Sequence, residues 1–118
     1  PNMVISGATC KNKASSEEIA KKTLDCLKKN VPSDVPGIAF LSGGQTEQEA
    51  TKNLDEINKI NDTNFLITFS YGRALQQSAL KTWAKEMSNK KANQKIFNHR
   101  AKMNGLASKG EWSQSLEA

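Results

Sequence analysis

Two short polar turns hold the residues best suited to chemistry in this chain. Leu41-Ser42-Gly43-Gly44-Gln45 and Ser70-Tyr71-Gly72-Arg73 each follow a brief apolar run, and each precedes a helical pattern. Glycine lets backbone amides come close to a ligand, and the free amides at a helix start attract negative charge. Arg73 adds a planar fork of donors that matches phosphate oxygens. Together they imply a phosphate ligand. Gly43 and Gly44 also suit a tight turn with positive φ, and Arg73 also suits a surface position in the first turn of a helix. Repetition of the device after two successive strands favours the anion, as does the mild disfavour of a cation at a helix start. Reacting groups are missing from the same places. No carboxylate follows any expected strand, His99 falls late in a helix, and no serine or cysteine stands near a base.

The surrounding pattern supplies elements to carry these turns. Met3-Val4-Ile5-Ser6-Gly7 reads as a first strand. Ser15 and Glu18 form a capping box, after which Ile19, Thr23, Cys26 and Leu27 mark one face of a helix ending near Asn30, before Pro32. Gly37-Ile38-Ala39-Phe40-Leu41 is a nearly continuous apolar run, the mark of a strand covered on both faces in a parallel sheet. Thr46 and Glu49 make a second capping box. Ala50, Leu54 and Ile57 then repeat at helical spacing until Asn58, Asn61 and Asp62 break the pattern. Phe65 to Phe69 gives the next strand, and Leu75, Ala79, Trp83 and Met87 give an apolar stripe on a third helix. A last helix is predicted from about Lys90 to Ala107, with Ile96, His99, Met103 and Leu106 on one side and Gly110 near its end.

Strand and helix alternating at a period near 30 residues indicate an α/β fold with a parallel sheet and ligands beyond the carboxyl ends of its strands. An open doubly wound sheet and a closed eight-stranded barrel both satisfy this. The barrel suits the turns better, because its phosphate site is built after the last two strands, but such a barrel needs about 250 residues. Pro1, with a strand signal starting almost at once behind it, reads as a cut.

Composition is that of a folded domain, with 36% hydrophobic and 25% charged residues. No run approaches the roughly 18 to 20 apolar residues of a membrane span, and no secretion signal opens the chain. The expected location is therefore cytoplasmic, and Cys10 and Cys26 are expected as reduced thiols without metal-ligand spacing. The net charge of +5 is uneven: residues 1 to 80 hold nine basic and nine acidic side chains, residues 81 to 118 eight and three. A basic last third admits a polyanion partner, but its lysines surround a helical pattern with few aromatics between them, so a solvated face is the better reading.

Several segments resemble class I fructose-bisphosphate aldolase. They are Pro1-Asn2-Met3-Val4, Phe40-Leu41-Ser42-Gly43-Gly44-Gln45, Ala50-Thr51-Lys52-Asn53-Leu54 and Thr68-Phe69-Ser70-Tyr71-Gly72-Arg73-Ala74-Leu75-Gln76. The likeness continues through Ser78-Ala79-Leu80, Lys90-Lys91-Ala92-Asn93 and Asn104-Gly105-Leu106-Ala107 to Gly110. It implies the C-terminal part of a TIM (β/α)8 barrel, its last three strand-helix units plus a C-terminal helix, with residues 1–118 incomplete on their own. The implied enzyme is a glycolytic lyase that cleaves fructose 1,6-bisphosphate to dihydroxyacetone phosphate and glyceraldehyde 3-phosphate through a lysine Schiff base, with neither metal nor cofactor. By the family's pattern that lysine lies immediately before Pro1. Ser42, Gly43, Gly44, Gly72 and Arg73 then grip one substrate phosphate, and Ser70 faces the substrate nearer the reacting carbon. The resemblance also implies a homo-oligomer, a tetramer by family habit, with a sugar phosphate as partner and neither nucleic acid nor membrane. The tail departs from the pattern: it lacks a terminal tyrosine, and Trp112 stands where another aromatic of the tail is usual.

Two other classes fit fewer residues. A tautomerase with Pro1 as general base needs an early strand pair that the helical content opposes. A non-enzymatic phosphoanion or nucleic-acid binding module would use the basic last third. Tyr71 reads as packing, His99, Trp83 and Met87 as core or interface, and Asn61-Asp62-Thr63 as a glycosylation pattern without use.

Overall fold

The computed structural model describes all of residues 1–118. Its elements run α1 (Ser16–Asn30), β1 (Gly37–Phe40), α2 (Glu47–Ile60), β2 (Leu66–Phe69), α3 (Arg73–Lys85) and α4 (Lys90–Ala107), closed by a 3-10 turn over Gln114–Glu117. β1 and β2 pair in parallel, Ile38 opposite Ile67 and Phe40 opposite Phe69, with α2 as the crossover between them. On the far side of β1 the Leu41 amide donates to the Pro1 carbonyl at 2.8 Å, and Asn2 forms a single parallel bridge with Leu41.

That bridge is all that forms of the expected first strand. Because Asn2 pairs with Leu41, the residues from Met3 onward run past the end of β1, where the chain has already turned away, and find no ladder. The Val4 amide is taken instead by the Thr23 hydroxyl at 3.0 Å, and the Ser6 hydroxyl accepts the Ala14 amide at 2.9 Å.

Local chemistry sets the helices. The Ser15 hydroxyl accepts the Glu18 amide to start α1, although the Glu18 carboxylate lies 3.6 Å from Lys22 and does not complete the box. At α2 the box is reciprocal, with Thr46 and Glu49 each accepting the other's amide, at 3.2 and 2.8 Å. Asn58 does not break α2. The helix runs on to Ile60, and the Asn58 side chain donates to the carbonyls of Leu54, Ile67 and Ala107, stitching α2 to β2 and α4. Asn61 closes the following turn on Thr63 and Phe65.

α2 is the centre of the packing, set against α1, α3, α4 and β2. Phe40, Leu54 and Ile57 are fully buried, and each such side chain contributes about 1.5 to 3 kcal/mol. Burial along β1 alternates, with Ile38 and Phe40 inside. Within these residues only one face of the sheet is covered: Leu41 is 54% and Leu66 77% exposed on the opposite face. Cys26, placed on the inner face of α1 by spacing, is an exposed free thiol like Cys10; Ala20 and Leu24 are buried with Ile19, Thr23 and Leu27 instead.

α3 and α4 also depart from their apolar stripes. Only Ala74 of α3 is buried; Trp83 and Met87 are exposed and so are not core residues. Ala79, Leu80 and Trp83 of α3 face Phe97 of α4 across an open groove of about 330 Å³. α4 is turned by one residue from the expected face and buries Arg100, Met103, Asn104 and Ala107, while Ile96, His99 and Leu106 are half-buried. Hydrogen bonding outweighs apolarity there, as the partners of Arg100 show below.

Candidate functional site

Parallel pairing brings the two glycine turns together. The Ser70 amide donates to the Phe40 carbonyl at 2.8 Å, so the segment 41 to 45 leaving β1 and the segment 70 to 73 leaving β2 emerge side by side from the same sheet end. Adjacent strands lie about 4.8 Å apart, within the span of one phosphate and its donors.

In the first turn the Gln45 amide donates to the Ser42 carbonyl at 3.1 Å, and Gly44 has φ +76, a left-handed conformation that favours glycine. The Gly43 carbonyl accepts from Asn2 Nδ2 at 2.9 Å. In the second turn Gly72 caps α3, its carbonyl accepting the amides of Leu75 and Gln76 at 3.1 Å. The amides of Gly43, Gly44, Gly72, Arg73 and Ala74 take no partner within the chain. Arg73 is exposed, opens α3, and enters none of the ion pairs, which involve Lys22, Lys28, Lys59, His99 and Arg100. The hydroxyls of Ser42 and Ser70 are likewise without a partner, Ser42 half-buried and Ser70 exposed. Gly72 has ordinary negative φ, and a Cβ there would meet nothing within 4 Å, so neither backbone strain nor packing in this chain demands glycine at that position.

The turns are braced from behind. Tyr71 is buried, its ring 5.3 Å from that of Phe69 and its hydroxyl donating to the Ala50 carbonyl at 2.9 Å; burial pushes its pKa above the usual phenol range. Glu47, the first residue of α2, accepts the Ser78 amide at 2.8 Å and the Ser78 hydroxyl as well. The helices that follow the two turns are thus fastened to each other. Tyr71 has the packing role expected of it.

A second polar cluster lies between α2, α4 and the closing turn, and spacing did not reveal it. Arg100 holds Glu117 bidentately at 2.8 and 2.9 Å, donates to Thr51 at 3.1 Å and lies 3.8 Å from Glu47. Trp112 donates its indole N–H to Glu117 at 3.0 Å and its amide to Asp55 at 2.9 Å, and His99 stands 3.4 Å from Glu117. Burial alone would raise the Glu117 pKa, but the hydrogen bonds and charge of Arg100, aided by Trp112 and His99, hold it below the ordinary value. The signal was present: Arg100 shares a helical face with Met103, Asn104 and Ala107, and Glu117 is one of only three acids after residue 80. The seven lysines of this third are exposed, as a solvated face requires.

A family model for class I fructose-bisphosphate aldolase, described as glycolytic, matches residues 1–118. The chain belongs to the class I fructose-bisphosphate aldolase family. It is 51% identical to fructose-bisphosphate aldolase B of Sparus aurata over 119 residues, covering 100% of this chain and 33% of that protein. Identity is 50% over 112 residues to a probable fructose-bisphosphate aldolase class 1 of Xanthomonas axonopodis pv. citri, covering 94% of this chain and 34% of the relative. Among solved structures, the aldolase of Plasmodium falciparum in a ternary complex with TRAP and a small-molecule inhibitor superposes with a TM-score of 0.90 at 41% identity, covering 96% of this chain and 33% of that one. The chain therefore spans about a third of the length of these aldolases, and its architecture is that of an aldolase barrel fragment.

Proposed function

We propose that residues 1–118 form the C-terminal portion of a single (β/α)8 barrel domain, incomplete on its own, holding its last two strand-helix units, the strand end at Asn2 and helix α1 of the unit before them, and a C-terminal helix. The complete protein then cleaves fructose 1,6-bisphosphate into dihydroxyacetone phosphate and glyceraldehyde 3-phosphate. The uncovered faces of Leu41 and Leu66 favour this reading, because further strands closing a barrel would bury them. In the proposed reaction a lysine immediately before Pro1 condenses with the ketose carbonyl, releasing water. The iminium so formed draws in the electron pair of the breaking carbon–carbon bond while a base from the rest of the barrel takes the proton of the hydroxyl that becomes the aldehyde; protonation of the enamine left behind and addition of water then release dihydroxyacetone phosphate and the free lysine.

This chain's part is the grip on one phosphate. The observation that carries it is the delivery of both turns to one sheet end, with five amides, two hydroxyls and a guanidinium unpartnered there. Amides of Gly43, Gly44 and Gly72 donate to phosphate oxygens, Ser42 adds a hydroxyl, Arg73 adds a bidentate charge, and Ser70 faces the sugar nearer the reacting carbon. Fixing the phosphate holds the carbonyl against the amine, and positioning of this kind contributes about 7 to 11 kcal/mol to lowering a barrier. A cytoplasmic location and a tetrameric assembly belong to the same proposal and rest on the family resemblance.

Borohydride reduction of the complete enzyme with dihydroxyacetone phosphate tests the reaction. A stable adduct on the lysine adjoining Pro1 is expected; an unmodified lysine there would contradict it.

A further inference from the structure

Asn2 ties the start of the chain to the first glycine turn through one short side chain. Its Nδ2 donates to the Gly43 carbonyl at 2.9 Å across 41 residues, while its Oδ1 accepts the Met3 amide at 2.9 Å and lies 3.5 Å from Gln45 Nε2. Gln45 Oε1 accepts in turn from Asn53 of α2 at 2.8 Å. The main chain reinforces the junction through the Leu41 amide on the Pro1 carbonyl at 2.8 Å. A Cβ at Gly43 would stand 3.1 Å from Asn2 Nδ2, a tight contact that would push the Asn2 amide back by a few tenths of an ångström. Asn2 is exposed, and a hydrogen bond made in reach of water adds little net stability. Its consequence is geometric: it joins the residue after Pro1 to the turn that presents the amides of Gly43 and Gly44.

We infer that Asn2 is a positioning residue, acting through Gly43 to set the first phosphate-binding turn at a fixed place relative to Pro1 and the residue before it. The inference rests on the phosphate-gripping role proposed above for the two turns. A ketose phosphate must meet the amine and the phosphate donors together, and a first turn set out of place loses phosphate contacts that the bound ketose and the transition state share, which raises KM and leaves kcat nearly unchanged.

The test is steady-state kinetics on fructose 1,6-bisphosphate with the complete enzyme, comparing Asn2→Asp, Asn2→Ala, Arg73→Ala and the Asn2→Ala/Arg73→Ala pair, each with its thermal midpoint. Asn2→Asp sets a carboxylate oxygen against the Gly43 carbonyl, and Asn2→Ala removes the donor without adding charge. Both are expected to raise KM about tenfold with kcat changed less than about threefold, and with the midpoint within a few degrees of wild type. On the Arg73→Ala background the Asn2→Ala effect on KM should shrink to less than about threefold, because the grip it positions is already weakened. If an Asn2 variant unfolds, Gln45→Ala replaces it, with a KM rise of about threefold expected. Unchanged KM in these variants beside a raised KM in Arg73→Ala overturns the role of Asn2 alone, as does full multiplicativity in the double variant. Unchanged KM in Arg73→Ala removes the underlying role of the turns and this inference with it.

Discussion

At the carboxyl end of the strands, Arg73 is exposed and unpaired, and the amides around it have no partner in the chain. Near the middle of α4, Arg100 is buried, with Glu117, Thr51 and Glu47 gathered around its fork. The same residue type thus serves opposite ends. Polar groups that stabilise a fold are consumed within it, and groups kept for a ligand are left free on a rigid support. Tyr71 on Ala50 and Glu47 on Ser78 provide that support, so the free region is held by the satisfied one.

The contrast breaks if the two arginines behave alike. Arg100→Ala should cost about 3 to 5 kcal/mol in equilibrium denaturation of the complete enzyme, because it leaves the Glu47 and Glu117 carboxylates buried without their cation. Arg73→Ala should leave stability within about 0.5 kcal/mol of wild type, yet reduce kcat/KM for fructose 1,6-bisphosphate by about 2 to 3 kcal/mol, chiefly through KM. Gly72→Ala sharpens the distinction, since a Cβ meets nothing within 4 Å. It should fold normally and bind dihydroxyacetone phosphate about tenfold more weakly, the equivalent of about 1.4 kcal/mol, measured by calorimetry. Tyr71→Phe, losing the hydroxyl bond to Ala50, should cost about 1 kcal/mol of stability.

Acid should act on the satisfied region. Glu117 is held below its ordinary pKa, so its share of the stability is complete above the unfolded value of about 4.3 and is lost as pH falls through the lower folded value. Denaturation of wild type and Glu117→Gln between pH 6 and the acid limit should show that share in the first and not in the second.

The glycine turns, both strands of the β-α-β unit and all four helices were legible because each rests on local chemistry: capping at Ser15 and Thr46, apolar runs at residues 37 to 41 and 65 to 69, and helical spacing after them. What escaped depends on distant partners. Met3 to Gly7 has the composition of a strand, but its register to Leu41 leaves it no ladder. Trp83 and Met87 have core spacing but no cover, and Arg100 looks like one more basic residue until Glu117 folds back onto it. For the site, the residue types in the two turns pointed to phosphate, whereas the Asn2 bond to Gly43 joins residues that no sequence window contains together.

Two neighbouring turns gripping a single phosphate is what every prediction for this end of the sheet depends on. A crystal structure of the complete enzyme, reduced by borohydride on dihydroxyacetone phosphate, tests it most directly. Phosphate oxygens are expected within about 3 Å of the Gly43 and Gly72 amides, with the Arg73 guanidinium closed on them. A phosphate bound away from either turn, with Arg73 still facing solvent, would contradict it.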